Sequence, residues 1–196
     1  MGKLVISEFI SVDGIIEDPG GSEGTPQGGW SFRHPAPGSE AFKLDELKAG
    51  DALLLGRVTY DGFAAAWPAM EETTGDFGPR MNSMPKFVVS TTLTEAAWRN
   101  STIISGDVPI QVAKLKEQYD GDILVYGSAT LVDTLRQNGL IDEYRLMIHP
   151  VLVGSGKRLF REGAVPGDLT LVESHSVGPD VIVLTYRQAQ PAASGS

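Results

Sequence analysis

The chain has 196 residues, no cysteine, three histidines and a formal net charge of −9 at pH 7. An acidic chain lacks the basic surface that a nucleic acid or an anionic membrane would need, and without cysteine it has neither disulfides nor thiolate ligands, so we expect no metal site. No apolar run reaches the ~20 residues of a membrane span, and the first residues do not form a signal peptide, which together predict a cytoplasmic protein.

The hydrophobic content of 41% is enough for one well-packed core. We therefore expect a single domain over residues 1–187. Residues 188–196 have no apolar face, and we expect them to be a disordered tail.

The first element in the chain is a strand from Lys3 to Phe9, which leads to a turn at Asp13-Gly14. Residues 18–38 then form a long loop of Gly, Pro, Ser and Thr, in which Trp30 and Phe32 are embedded. We expect this loop to be too polar to contribute to the core. It either closes over a site or is a mobile connection, and the sequence favours neither.

A helix is predicted to follow this loop, from Ser39, its expected N-cap, to about Ala49. Ala41, Leu44 and Lys48 fall on one stripe of this helix, and we expect that stripe to face the core. A glycine directly after the last position ends the helix.

Three times in the chain, an apolar strand ends in small or hydroxyl-bearing residues. The three junctions are Gly56-Arg57-Val58-Thr59 after residues 51–55, Ser90-Thr91-Thr92 after residues 86–89, and Gly127-Ser128 after residues 123–126. The carboxyl ends of parallel strands meet at one edge of a sheet, where open α/β folds bind their ligands. We therefore predict a ligand site at this edge, although such residues also form ordinary turns.

The third junction is expected to start a helix, with Ser128 as its N-cap and Asn138-Gly139 as its end. The N-terminus of a helix attracts phosphate, because its first N–H groups have no partner within the helix. Another helix, capped by Asp107, is predicted before it, and the charged residues of that helix, Lys116 among them, are expected to be solvated.

The C-terminal part is predicted to begin with a strand from Ile141 to Ile148. His149 follows at the strand end before a proline, where a histidine is more often structural than catalytic. After a glycine-rich piece, Leu169–Val177 and Val181–Arg187 are expected to form an antiparallel hairpin that closes the sheet.

Together these segments resemble the dihydrofolate reductase-like family, in the form of the RibD C-terminal reductase domain. The resemblance covers about residues 3–187 and rests on Ser11-Val12-Asp13-Gly14, Gly56-Arg57-x-Thr59 and the stretch GLIDEYRLMIHPVLVGSGKRLF at 139–160. It implies a three-layer α/β fold with a mostly parallel central sheet, helices on both faces and NADPH lying across the strand ends. It also implies a homodimer.

The resemblance assigns cofactor binding to the three junctions. It implies that Arg57 and Thr59, after Gly56, meet the 2′-phosphate and the pyrophosphate of NADPH, that Ser90 and Thr91 hold the adenine-side ribose phosphate, and that the backbone N–H groups of Gly127, Ser128, Ala129 and Thr130 wrap the pyrophosphate. The alternative for Arg57 is an ordinary surface ion pair.

The resemblance also implies a substrate side. Asp13 and Gly14 would lie near the nicotinamide, and Pro150, Leu152 and Gly154 would border the opposite wall. Glu40 matches, by an ungapped count, the helix carboxylate with which dihydrofolate reductases bind and help protonate the pteridine. Asp13 and Glu40 are therefore the expected catalytic residues, and the alternative for Glu40 is a first-turn glutamate favoured by the helix dipole.

The function implied is NADPH-dependent hydride transfer to a small heterocyclic substrate, as in dihydrofolate reductase or the 5-amino-6-(5-phosphoribosylamino)uracil reductase of riboflavin biosynthesis. The nicotinamide itself carries this chemistry, so the lack of a catalytic triad is no objection. The alternative is a non-catalytic protein that keeps the fold and binds a nucleotide or a pterin.

Overall fold

Eight strands form one sheet in the computed structural model, which describes residues 1–164 and 166–189. The strands are β1 (Leu4–Ser11), β2 (Gly50–Gly56), β3 (Lys86–Val89), β4 (Ser101–Ile104), β5 (Asp122–Val125), β6 (Glu143–His149), β7 (Leu169–Ser176) and β8 (Ile182–Gln188). Their order across the sheet is β4-β3-β2-β5-β1-β6-β8-β7. The first six are parallel, and β8 is antiparallel to both of its neighbours, which confirms the predicted parallel sheet and C-terminal hairpin.

Helices cover both faces of this sheet, as expected. They are α1 (Ser39–Ala49), α2 (Arg57–Ala66), α3 (Phe77–Ser83), α4 (Val108–Gln118) and α5 (Ala129–Gln137), with short 3₁₀ segments at Trp30–Arg33 and Trp67–Met70. Because side chains alternate along a strand, Leu4 and Ile6 of β1 pack in one core cluster with α4 and α5. Val5 lies between them in sequence and packs in a second cluster with α1, α2 and α3.

The predicted inner stripe of α1 is wrong. Lys43, Glu46 and Leu47 are buried, whereas Ala41 and Lys48 are exposed. The pattern of apolar residues could not reveal this face, because two of its three buried side chains are charged and are stabilised by each other and by strand residues.

Of the N-caps predicted for α4 and α1, the first is confirmed and the second is wrong. Asp107 caps α4 as predicted, because its carboxylate accepts the N–H of Ile110 at 3.1 Å. Ser39, in contrast, is the first helical residue of α1, and Gly38 occupies the cap position.

Lys116 on α4 is buried, although it was expected to be solvated. Its ammonium donates to the carbonyl oxygen of Leu140 at 3.1 Å and pairs with Asp142 at 2.6 Å. Asp142 also accepts the N–H of Leu4 at 2.7 Å, so the buried charge is compensated by partners that are distant in sequence.

The loop over residues 18–38 does contribute to the core, contrary to expectation. Trp30 is fully buried, and its indole N–H donates to the carbonyl oxygen of Glu17 at 2.8 Å. Asp18 is also buried, and its carboxylate accepts from Thr25 and from the N–H of Glu23. Internal hydrogen bonds therefore satisfy the polar groups of this loop while one aromatic side chain anchors it.

Lys86 lies in a cage of carbonyl groups between α3, β3 and the segment before β4. Its fully buried ammonium donates to the carbonyl oxygens of Asn82, Met84 and Arg99 at 3.0, 2.7 and 3.1 Å, and it lies 4.3 Å from the centre of the Trp98 ring. Burial lowers the pKa of Lys86 to about 8.

At the C-terminal end, Gln188 is the last residue of β8 rather than the start of a tail. Residues 190–196, the rest of the predicted tail, lie outside the described residues. Among the helices of the described chain, none combines the length and the apolar character that crossing a membrane requires.

Candidate functional site

The carboxyl ends of five parallel strands share one edge of the sheet. Along this edge lie Ser90 after β3, Gly56 at the end of β2, Gly127 after β5, Asp13 after β1 and Pro150 after β6. The structure therefore brings together the three junctions that the sequence indicated, and it adds the two substrate-side segments beside them.

The hydroxyl of Ser128 joins the ends of β2 and β5. It accepts the N–H of Gly56 at 2.9 Å and lies 3.0 Å from both the Thr59 hydroxyl and the carbonyl oxygen of Tyr126. A Cβ on Gly56 would lie only 3.0 Å from this hydroxyl, so glycine keeps the junction tight. Ser128 directly precedes α5 as predicted, but its side chain binds across the sheet edge instead of capping the helix.

Two arginines stand near these junctions. Arg57 is exposed at the start of α2 and forms an ion pair with Asp61 at 2.7 Å. Arg161 donates to the hydroxyl of Thr130 at 2.6 Å, on the first turn of α5. No pattern in the sequence singles out Arg161, because it lies 31 residues after Thr130 and reaches α5 from the segment after β6.

The hydroxyl residues after β3 have two different roles. The side chain of Ser90 accepts the N–H groups of Thr92 and Leu93 at 3.2 and 2.9 Å, which shapes the turn. Thr91 is exposed beside it. Of the two predicted contacts with the ribose phosphate, Thr91 thus has the more accessible side chain.

Glu8 on β1 lies beneath the Gly127-Ser128 turn, and no motif pointed to it. Its side chain is buried, and the oxygen Oε1 has no hydrogen-bond partner within the described residues. Burial raises the pKa of Glu8 to about 8, although the N–H groups of Gly127 and Ser128 and the charge of Lys43 act to lower it. The carboxyl group is therefore largely protonated at neutral pH.

Asp13 ties the turn after β1 to the segment after β6. Its carboxylate accepts from the Ser11 hydroxyl at 2.6 Å and from the N–H groups of Val153 and Gly154 at 3.1 and 2.7 Å. The Ser11 hydroxyl contributes most to lowering the pKa of Asp13 to about 2, and the two N–H groups lower it further. The carbonyl oxygen of Asp13 accepts a hydrogen bond from Arg158.

This arrangement places the predicted substrate-side residues together. Gly14, with φ of 83°, turns the chain directly after Asp13. Gly154 has φ of 84°, and its N–H donates to the Asp13 carboxylate. Leu152, which lies between Pro150 and Gly154 in the sequence, is exposed. The two segments that the family resemblance put around the nicotinamide are therefore neighbours.

Three buried polar side chains, Ser7, Lys43 and Glu46, lie between α1 and the sheet together with the half-buried Tyr126; we call these four residues the polar cluster. Its centre is Glu46 Oε2, which accepts from the Ser7 hydroxyl at 2.8 Å, from Lys43 Nζ at 3.2 Å and from the Tyr126 hydroxyl at 3.2 Å. Arg145 lies 3.5 Å from the other oxygen of Glu46. Burial, followed by the charge of Glu46, raises the pKa of Tyr126 well above its usual value.

Aromatic rings surround the outer side of this cluster. The Lys43 ammonium lies 5.2 Å from the centres of both the Phe9 and the Tyr126 ring. Phe9 contacts His149 with ring centres 5.6 Å apart, and Trp30 packs edge-on against His149 at the same distance. Burial lowers the pKa of His149 to about 4, so the imidazole is neutral at physiological pH.

Glu40 is exposed on the first turn of α1. This turn lies near the same sheet edge, because the N–H of Gly38 bonds to the carbonyl oxygen of Val177 close to the β7–β8 turn. The buried carboxylate of α1 is Glu46, six positions further along the helix. The ungapped count could not identify Glu46, because it assigned one position without information on which face of the helix is buried.

Known proteins resemble this chain in sequence and in fold. The family model for the RibD C-terminal domain matches residues 2–183. The uncharacterized protein YyaP of Bacillus subtilis (strain 168) is 30% identical over 186 residues, which cover 94% of each chain.

Two solved structures are similar in fold. The putative riboflavin biosynthesis protein of Shewanella sp. PV-4 has a TM-score of 0.75 at 22% identity, with 96% of this chain and 99% of that chain covered. Dihydrofolate reductase from Enterococcus faecalis, complexed with NADP(H) and RAB-propyl, has a TM-score of 0.58 at 13% identity, with 96% and 98% covered.

Proposed function

Because the chain belongs to the RibD C-terminal domain family, we propose that it is an NADPH-dependent reductase that transfers a hydride to a small heterocyclic substrate. The observation that carries this proposal is the junction at Ser128, which fixes the ends of β2 and β5 to each other. Arg57 lies two residues before Thr59, and Arg161 bonds to Thr130, two residues after Ser128. A rigid strand edge with a helix N-terminus and flanking guanidinium groups suits a ligand with several phosphates.

The proposed phosphate contacts follow from which groups are accessible. Arg57 can exchange Asp61 for the 2′-phosphate at little cost, because an exposed ion pair contributes only about 0–1 kcal/mol. Thr91 would contact the ribose phosphate. The N–H groups of Ala129 and Thr130, together with Arg161, would hold the pyrophosphate, while Gly127 and Ser128 shape the turn above Glu8.

The reduced nicotinamide supplies the hydride when it is bound, and the protein orients the reactants and excludes water. Asp13 has a positioning role in this proposal, because its carboxylate joins the two segments at the nicotinamide end. Glu40, exposed near the same edge, is the proposed proton relay to the substrate. Neutral Glu8 places no negative charge beneath the pyrophosphate.

Substituting Arg57→Ala tests the cofactor site. We expect the affinity for NADPH to fall roughly ten- to hundred-fold, because a charged hydrogen bond contributes ~1.5–3 kcal/mol, and the affinity for NADH to change little. Titrations followed by the fluorescence of the reduced nicotinamide measure both affinities. Arg99→Ala is the matched control, because Arg99 is a similarly exposed arginine paired with Glu71. Equal losses for NADPH and NADH would contradict the assignment of the 2′-phosphate site.

Turnover separates the reductase from the non-catalytic alternative. The protein loaded with NADPH is mixed with dihydrofolate, a pterin or an aminopyrimidine, and the loss of nicotinamide fluorescence is followed. Oxidation that depends on one acceptor supports the reductase. Tight NADPH binding without oxidation by any of them favours a binding protein.

We also propose that the protein is a homodimer that pairs through the β7 end of the sheet. β7 is the edge strand, and all eight of its residues are exposed. Leu171 and Val172 are 51% and 46% exposed. A long exposed edge strand with apolar side chains is a surface that proteins normally cover, and a second copy of the chain would do so.

A further inference from the structure

The ammonium of Lys43 has three N–H donors, and the polar cluster uses two of them. One bonds to the Ser7 hydroxyl and another to Glu46 Oε2. Both partners are buried, as is the lysine itself, so the ammonium is held in one place on α1 rather than moving in solvent.

The third donor faces aromatic rings. Lys43 Nζ lies 5.2 Å from the centres of the Phe9 and Tyr126 rings, and both residues are half-buried. A ring face attracts a cation but is a weak hydrogen-bond acceptor, so this donor retains most of its capacity. Tyr126 directly precedes the Gly127 turn, and Phe9 contacts His149 at the end of β6, so these rings belong to the substrate end of the strand edge.

Glu46, in contrast, is not accessible to a ligand. Oε2 accepts from three side chains of the polar cluster, and Oε1, which lies 3.5 Å from Arg145, is buried and has no hydrogen-bond partner within the described residues. Arg145 is itself fixed by Asp122 and Glu143 at 2.6 and 2.7 Å. The group of the polar cluster that keeps a hydrogen-bond donor for a substrate is therefore the Lys43 ammonium, through its third N–H.

We infer that Lys43 is a substrate-contacting residue, whose third N–H donates to a carbonyl-type oxygen on a planar ring. The inference rests on the proposed function and deepens it, because it states which ring substrates the site selects. A fixed ammonium attracts rings that present oxygen acceptors and repels rings that present a protonated amidine. A lysine that only neutralised Glu46 would affect stability without affecting this selection.

Two pyrimidines of the same ring size test the inference: uracil, which presents carbonyl oxygens, and 2,4-diaminopyrimidine, which presents an amidine. Each is titrated calorimetrically into the NADPH-loaded protein, and we expect uracil to bind more tightly to the wild type. Lys43→Met should weaken uracil roughly ten- to hundred-fold and leave 2,4-diaminopyrimidine unchanged or tighter. The control Lys48→Met removes an exposed lysine from the same helix and should change neither.

Wild-type protein that binds 2,4-diaminopyrimidine as well as or better than uracil, or that binds neither, would overturn the inference without any variant. Equal changes for both pyrimidines in Lys43→Met would also overturn it. Thermal melting of each variant identifies loss of folding, and Lys43→Gln, which keeps a neutral donor, should give a smaller selective loss if Lys43→Met does not fold. The NADPH titration comes first and the uracil comparison is repeated without cofactor, so failure of the proposed cofactor is distinguished from failure of the Lys43 contact.

Discussion

Glu8 is a buried carboxylic acid beneath the Gly127-Ser128 turn, and its protonation links folding to pH. The folded protein holds the proton of Glu8 up to about pH 8, whereas the unfolded chain releases it near 4.5. The unfolded state is therefore favoured increasingly as pH rises between these two values. Below pH 4.5 both states carry the proton, and the contribution of Glu8 to stability is fully present.

Replacing Glu8→Gln should remove this dependence. Relative to the variant, the wild type is expected to lose stability between about pH 4.5 and 8, by an amount of the order of a few kcal/mol. The lowered pKa of His149 makes both proteins more stable as pH rises to about 6.5, so the difference between the two curves isolates Glu8. Urea unfolding at a series of pH values measures both curves. Glu40→Gln, which changes an exposed carboxylate, is the control, and parallel curves for wild type and Glu8→Gln would contradict the expectation.

At the scale of elements, the turn after β1 and the segment after β6 are joined by backbone hydrogen bonds, from Val12 to Val151 at 3.1 Å and from Leu159 to Gly14 at 3.1 Å, and by the side chain of Asp13. Its carboxylate replaces the backbone partners that the N–H groups of Val153 and Gly154 would have in a regular sheet. Both segments are therefore held in place without forming strands. The chain turns there without covering the carboxyl ends of the strands.

Asp13→Ala should loosen this connection. The N–H groups of Val153 and Gly154 lose a charged acceptor, and we expect their hydrogen exchange to accelerate roughly ten- to hundred-fold. The N–H of Gly38, which bonds to the carbonyl oxygen of Val177, is the internal control and should exchange at its original rate. Unchanged exchange at Val153 and Gly154 would mean that Asp13 does not hold the segment.

The elements themselves were largely predictable, because apolar periodicity and local caps determine them. Strands such as β2 and helices such as α4 appear near their predicted positions, since Leu53–Leu55 and the cap at Asp107 are local signals. Contacts between charged residues far apart in sequence were not predictable. Lys116 and Glu46 look like solvated helix residues until the fold supplies Asp142 and Tyr126.

The same reasoning applies to the site. The three junctions could be identified because small and hydroxyl-bearing residues directly follow apolar strands, which is a local pattern. Arg161, Glu8 and Lys43 could not, because their importance depends on which strand or helix they face. The family resemblance indicated Asp13 and the segment from Pro150 to Gly154 at the substrate end, but not Lys43.

At the scale of the whole molecule, the sheet is covered by helices at one end and exposed at the other. β4 to β1 lie between the two helical layers, whereas β7 is exposed along its entire length. A chain that left this edge free would present unpaired backbone groups and apolar side chains to every other copy. A dimer that pairs through β7 would give these backbone groups hydrogen-bond partners and bury these side chains.

Leu171→Lys should therefore weaken the dimer. We expect the wild type to have the mass of two chains in light scattering coupled to size exclusion, and the variant to shift toward one chain at micromolar concentration, because a charge would be buried at the interface. Ile110→Lys places the same charge on α4, where Ile110 is 54% exposed, and should leave the mass unchanged. A monomeric wild type would contradict the proposed assembly.

The carbonyl cage around Lys86 has the form of a coordination site for a monovalent cation, with the cation supplied by the chain itself. Because this cation is covalently tethered, its occupancy needs no association from solution and does not vary with the concentration of potassium or sodium. The packing between α3 and β3 is therefore independent of the potassium or sodium concentration. The charge in this cage, that of the Lys86 ammonium, changes only with pH, near pH 8.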